Sequence, residues 1–150
     1  MKDEMTVIEG LRDSIINGIN DHLPESEVLT PIGEDNVLID FPDTDKMPKS
    51  TMFYIQPNWA DFENLTTESD SSVFNVAVFI LCKRDKEVNL TKKIYGYFNA
   101  LYSLLRRNTS LDGVVDFTEV TNSEFYPAVE ANKSIQGVEV SVSLRYTKDF

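Results

Sequence analysis

One cysteine, Cys82, and one histidine, His22, are all that 150 residues offer of the two side chains that most often carry catalysis and metal binding. A lone thiol excludes an intrachain disulfide. Because Cys82 lies inside an apolar run, a buried and inert thiol is expected, in keeping with a reducing compartment. With no second histidine and no cysteine near it, His22 lacks the spacing of a metal site and reads as a helix-end residue. Glycine is scarce as well: the six present form no P-loop, no dinucleotide-binding fingerprint and no nucleophile elbow. No apolar stretch reaches the length of a membrane span. The opening Met-Lys-Asp-Glu-Met leads into a polar, periodic segment rather than the apolar core of a signal peptide, so a soluble, cytoplasmic chain is expected. These absences leave no catalytic, cofactor or metal residue to nominate, and no enzyme is expected.

Basic residues are also in deficit. Fourteen Lys and Arg against 25 Asp and Glu give a net charge of -11, which argues against general nucleic-acid binding, since phosphate contacts need clustered cations. The placement of charge says more than its sum. Residues 21–70 hold twelve acids against Lys46 and Lys49, whereas residues 83–107 hold seven bases against Asp85 and Glu87. The chain is electrically bipolar.

What is present is an ordinary globular composition, 41% hydrophobic with nine Phe and six Tyr, in a length that suits one domain spanning 1–150. Residues 72–113 organise it. Ser72-Val-Phe-Asn-Val-Ala-Val-Phe-Ile-Leu-Cys82 is apolar on both alternating faces, as a central strand covered on two sides should be. Leu90, Ile94, Tyr97, Phe98, Leu101, Leu104 and Leu105 recur at spacings of three and four, which predicts a long helix with one apolar stripe, starting at Asp85 or Asn89 and closing near Asn108. Val7, Ile8, Leu11, Ile15, Ile16 and Ile19 predict a first helix over about 6–20.

Val37-Leu38-Ile39 reads as a short edge strand limited by Pro42, and residues 51–56 as a strand bracketed by Pro48 and Pro57. A further strand is expected over 114–120. The alternation of Val138, Val140, Val142, Leu144 and Tyr146 with Glu139, Ser141, Ser143 and Arg145 predicts a final strand over 136–146 with one buried face. Residues 57–72, acidic and carrying the only tryptophan, read as a long loop, and residues 121–134 as another. The expected fold is α+β: a mainly antiparallel sheet of about four to five strands with two helices packed on one face.

Three sharper readings meet blander ones. Asp40, Asp43 and Asp45 have the spacing of a calcium loop but lack its glycine and closing glutamate, so a solvated turn is favoured. Four Asn-x-Ser/Thr triplets carry no weight without a secretory signal. Lys92 and Lys93 are read together on the solvated side of the long helix, where a docking surface for an acidic partner is the functional alternative. Trp59, Phe62 and Leu65 either tuck onto their own domain or anchor a partner.

The order of elements, most visibly in residues 73–115 with their Leu111-Asp-Gly-Val114 turn and in Gly137-Val-Glu-Val-Ser-Val-Ser-Leu-Arg-Tyr146, resembles the tail terminator (tail completion) proteins of long-tailed bacteriophages. The resemblance implies a non-enzymatic structural protein, assembled in the host bacterial cytoplasm into a virion. It would form a homo-oligomeric ring, by analogy a hexamer, on the head-proximal end of the tail tube. Such a ring ends tube growth and contacts the tail tube protein and the head connector, with no membrane or sequence-specific nucleic-acid contact, while DNA passes through its acidic channel.

Bipolar charge suits a ring, which needs two different complementary surfaces on each subunit. The subunit or partner interface is therefore expected at Lys83, Arg84, Lys92, Lys93, Arg106 and Arg107, facing Trp59, Phe62, Asp61 and Glu63 of the next copy. The alternative reading from another class is an acidic protein-interaction module: a DNA-mimic inhibitor, an adaptor or another neck protein. A hydrolase using scattered carboxylates is a third, which needs a pocket.

Overall fold

A computed structural model of the chain describes residues 2–25, 29–84, 89–130 and 132–150. Helix α1 (Glu4–Gly18) starts where the Asp3 carboxylate accepts the Thr6 N–H at 2.8 Å. That capping bond satisfies one of the donors a helix start leaves unpaired and holds the Asp3 carboxyl below its usual range. One 3₁₀ turn (Ile19–His22) carries the chain to Pro24. Strand β1 (Val37–Leu38) follows, then β2 (Thr51–Thr66), β3 (Ser69–Lys83), helix α2 (Leu90–Arg107), β4 (Phe117–Tyr126) and β5 (Ile135–Asp149). The five strands form one sheet in the order β1-β2-β3-β5-β4, with β1 parallel to β2 and the other pairs antiparallel. The α+β expectation holds, with β3 at the centre.

Both helices lie on one face of the sheet. Val7, Leu11 and Ile15 of α1 and Ile94, Tyr97, Leu101 and Leu105 of α2 share a buried cluster with Phe53, Ile55, Val76, Val78, Ile80, Val140, Val142 and Leu144. Each fully buried Leu, Ile or Val contributes roughly 1.5–3 kcal/mol, so this cluster dominates the favourable side of folding. The opposite face is covered only near the start of β2, where Met47 and Ile135 close over Met52, Tyr54 and Leu81. Cys82 is fully buried, and burial pushes its thiol up to about 12 against the opposing charge of Lys93.

Two expected loops are strands. Residues 57–66 continue β2 and residues 69–72 belong to β3, joined by a turn at Thr67 and Glu68. Pro57 does not stop β2 because it sits at a bulge on the outer edge of the sheet, past the short β1 partner at Phe53 and Tyr54, where a missing N–H costs no ladder bond. Both faces of this segment are solvated, so the alternation that betrays a half-buried strand is absent.

Residues 121–126 likewise belong to β4, which starts at Phe117 rather than Val114. A bulge between Val120 and Asn122 breaks its period. Of the described residues in the second expected loop, 127–130 and 132–134 lie outside a strand. The turn before β4 holds three consecutive residues at positive φ: Leu111 (50°), Asp112 (58°) and Gly113 (92°). Leu111 tolerates this because its side chain fills the core, while the Asp112 N–H is held by Asn108 Oδ1 at 3.0 Å.

Of the two expected starts for α2, Asn89 is the cap. Its Oδ1 accepts from Thr91 N at 3.0 Å and Lys92 N at 3.2 Å, whereas Asp85 lies outside the described residues. Asn89→Ala should lower unfolding stability by about 1 kcal/mol in urea titrations, whereas Asn89→Ser, which keeps an acceptor, should lose little of it.

Candidate subunit interface

Past the bulge, β2 continues beside β3 as an arm that ends in the turn at Thr67 and Glu68, and its outer edge is unpaired among the described residues. The bulge also reverses which side chains face the helices: Ile55 and Pro57 pair with Val78 and Val76, but after it Ala60 pairs with Phe74 and Phe62 with Ser72. Phe62 therefore lies on the helix side. Trp59, Asp61 and Glu63 move to the helix-free side, opposite Asn75, Val73 and Ser71. Trp59 is 52% exposed, Phe62 51% and Leu65 55%, so these side chains do not tuck onto their own domain.

The arm is fixed to α1 close to its tip, where Lys148 lies opposite Asp70. Lys148 on β5 places Nζ 3.0 and 3.1 Å from the Glu4 carboxylate oxygens and 5.2 Å from the centre of the Phe62 ring. Among the described residues this is the one ion pair. Partial burial works against the Glu4 charge. The Lys148 hydrogen bonds, a backbone N–H and the lysine charge outweigh it, and the carboxyl titrates below the usual glutamate range.

The other edge of the sheet presents a different surface. Along the outside of α2, Lys92, Tyr95, Asn99, Tyr102 and Arg106 recur at spacings of three and four and are all exposed. Tyr95 stacks on Phe125 of β4 with 4.6 Å between ring centres, Phe98 meets Phe125 edge-on at 5.2 Å, and Tyr102 lies 6.2 Å from Phe98. Tyr95 remains 46% exposed, and Phe117 at the start of β4 is 45% exposed. This aromatic surface with a cation at each end occupies the sheet edge opposite the arm.

The expected basic face is not continuous. Lys92 and Arg106 are about 21 Å apart along the axis at about 1.5 Å per residue. Exposed Arg107 lies beside Arg106 in the last turn, whereas Lys83 and Arg84 sit at the end of β3. Lys93 is not on the solvated side at all. It is 2% exposed, and its Nζ has no hydrogen-bond partner among the described residues. The helical period explains the correction: Leu90, Lys93 and Tyr97 are three and four residues apart and turn to the same side. Of the expected acidic partners, Asp61 and Glu63 are exposed on the arm as the interface requires. Tyr95, Tyr102, Phe117 and Phe125 form a partly exposed aromatic surface that sequence reasoning missed, although the heptad spacing of the two tyrosines was there to be seen.

The helix-free face of the sheet carries acid. Asp61, Glu63, Glu119, Glu124 and Glu139 share it, with Glu124 directly opposite Glu139 across β4 and β5. Burial pushes the Tyr126 hydroxyl up to about 12, together with the Glu124 and Glu139 carboxylates beside it. Asp40, Asp43 and Asp45 stay in a solvated turn, where Asp43 Oδ1 accepts the Asp45 N–H at 3.0 Å. Among the described residues, no three His, Cys, Asp or Glu side chains group as metal ligands, and no helix is long and apolar enough to cross a membrane.

The result is an α+β chain, a sheet flanked by helices on one side only, with two unlike exposed edges. Among solved structures it is similar to a chain described as "Virion of native gene transfer agent (GTA) particle", at 8% identity, covering 92% of this chain and 98% of that one, with a TM-score of 0.45. No family model and no curated protein matches the chain.

Two substitutions check this account of the surface. Lys93→Met keeps the buried stem and removes a buried ammonium that has no hydrogen-bond partner among the described residues, so it should raise unfolding stability by about 1 kcal/mol, whereas Lys93→Glu should lower it. A Glu4→Gln chain should be less stable than the parent at neutral pH, by under about 1 kcal/mol because the pair is part-exposed. The folded carboxyl titrates low, so this stabilisation is complete above the ordinary glutamate range and is lost as pH falls through the lowered value. Thermal melts of the two chains should therefore converge in acid. A pH-independent gap would remove the ion pair from the account.

Proposed function

We propose that the chain is a structural protein of a phage or prophage virion that forms a ring, by analogy a hexamer, at the head-proximal end of the tail tube. There it ends tube growth and joins the tube to the head connector. This reading follows the resemblance of residues 73–115 and of the last strand to tail terminator proteins. The observation that carries it is the pairing of two unlike exposed surfaces on opposite edges of one sheet. One is an acidic arm with Trp59, Phe62, Asp61 and Glu63; the other is the aromatic outer side of α2 and β4 between Lys92 and Arg106.

A surface that fits a different surface on the next copy generates a ring when the rotation closes. Aromatic anchors inside complementary charge give such a contact both affinity and register. The remaining acids of the helix-free face, Glu119, Glu124 and Glu139, then have a use as a channel lining, because they repel DNA phosphates and let a genome slide past. The role is assembly, not catalysis, and needs no cofactor.

The same acids favour a second reading, an acidic module that occupies the groove of a basic partner as a DNA mimic or adaptor, since five carboxylates share one sheet face. The two readings separate in one experiment. The purified protein is mixed with tail tube protein, imaged by negative stain and weighed by native mass spectrometry. A terminator caps one end of each tube as a ring, whereas a mimic leaves tubes untouched and stays small. Lys92→Glu, Arg106→Glu and Arg107→Glu together should abolish rings and caps while circular dichroism stays unchanged; Lys93 is left alone because it is buried. Unaltered capping by that triple variant contradicts the lateral contact.

A further inference from the structure

We propose that the tip of the arm of one copy seats end-on in a cleft at the far end of a second copy, a contact separate from the lateral one. The tip is the turn Thr67-Glu68 with Asp70 and the adjacent Asp149, and the Phe150 N–H donates to the Glu68 carbonyl at 2.7 Å, closing β5 against the turn. Glu68 and Asp149 are exposed. Lys148, the cation beside them, is engaged by Glu4. The tip therefore presents acid on a narrow, hydrogen-bonded turn.

At the opposite end of β3 lies a cleft of about 780 Å³ lined by Lys83, Arg84, Thr44, Asp45, Ser134 and Asn132. Its walls are tied together: Arg84 N donates to the Ser134 carbonyl at 2.7 Å and Lys83 N to the Ser50 carbonyl at 2.8 Å. Thr44 Oγ1 donates to Glu130 Oε2 at 2.9 Å, which occupies a carboxylate next to the cleft. Lys46 and Lys133 are exposed on the same two loops. Two cations with hydroxyl and amide groups in a concave site suit carboxylates presented by an acidic turn.

The chain cannot make this contact with itself. Tip and cleft are the two ends of one fifteen-residue strand, about 46 Å apart at about 3.3 Å per residue. A second copy is thus the occupant that carries the right charge in the right shape. The contact runs along the strands, whereas the lateral one runs across them, so it would stack rings or join copies end to end. It does not depend on the tail role.

Two charge-reversed chains test it. One carries Lys83→Glu and Arg84→Glu in the cleft; the other carries Glu68→Lys and Asp149→Lys at the tip. The end-to-end contact is read by a disulfide between a Glu68→Cys chain and a Ser134→Cys chain, with an Asn17→Cys chain on the exposed side of α1 as the control partner. For the reversed tip, Thr67→Cys replaces Glu68→Cys. Cys82 is buried and stays out of the reaction.

The parent pair should cross-link at several times the control. Each reversed chain, tested for linkage to its own kind, should fall to the control level, and the mixture of the two should recover, because the acidic tip of the cleft-reversed chain then meets the basic cleft of the tip-reversed chain, and the basic tip of the latter meets the acidic cleft of the former. Control-level linking of the parent pair overturns the contact, as does a mixture that fails to recover. If linking fails while the Lys92, Arg106 and Arg107 variant still loses its caps, the end-on contact falls and the lateral ring stands; the reverse pattern removes the ring and keeps the contact.

Discussion

The hydrogen-bond ladder of β3 is the constraint on which the molecule depends. All fifteen of its residues pair with β5, and the same strand pairs with β2 along almost its whole length. Between Phe74 and Cys82 the inward side chains sit in the helix-covered core, so this part is held by burial as well as by backbone bonds. Between Ser69 and Ser72 the ladder continues to the level of the first residue of α1, where Lys148, opposite Asp70, bonds Glu4. A strand anchored so firmly at one end can project at the other, and the arm is the result. Its rigidity comes from pairing on both sides of β3 and from the Lys148–Glu4 contact close to its tip, rather than from a core of its own.

That division between a buried half and a projecting half also sets the surface chemistry. Apolar groups in the buried half face helices, while those on the arm face water, which is unfavourable unless something covers them. On the opposite sheet edge, Tyr95 and Tyr102 stay partly exposed beside the Phe125 ring, between Lys92 and Arg106. A sheet with helices on one side only thus carries an aromatic acid-bearing arm on one edge and an aromatic cation-bearing surface on the other, the two unlike surfaces that the proposed ring uses. The carboxylates on the helix-free face repel one another, with Glu124 opposite Glu139, and such a face is better suited to lining a water-filled space than to packing.

The elements that bury a face were legible in the sequence. The 3.6-residue period of α2, the alternation in β5 and the doubly apolar run of β3 each record packing against the helix-covered core, and the structure has them within a few residues. What was not legible shares one cause, the lack of a buried face. Residues 57–66 show no alternation because both their sides are wet, and Pro57 gave a breaker signal that an edge bulge neutralises. The bulge after Val120 hid the second half of β4 in the same way. Lys93 was misplaced for the opposite reason: charge was given more weight than period, although the spacing from Leu90 and Tyr97 turns it inward. The aromatic surface of Tyr95, Tyr102, Phe117 and Phe125 was not legible because cross-element stacking depends on which strand comes to lie beside α2, and only the fold reveals that.

The central claim is that the arm of one subunit meets α2 and β4 of the next. Cross-linking mass spectrometry of the protein assembled on tail tubes tests it most directly, using a carboxylate-to-amine reagent. The account predicts links between copies from Asp61 and Glu63 to Lys92, in one direction around the ring. Links that join Lys92 to Lys92-side acids of a symmetry-related copy, such as Glu119 or Glu124, with none reaching the arm, would contradict it.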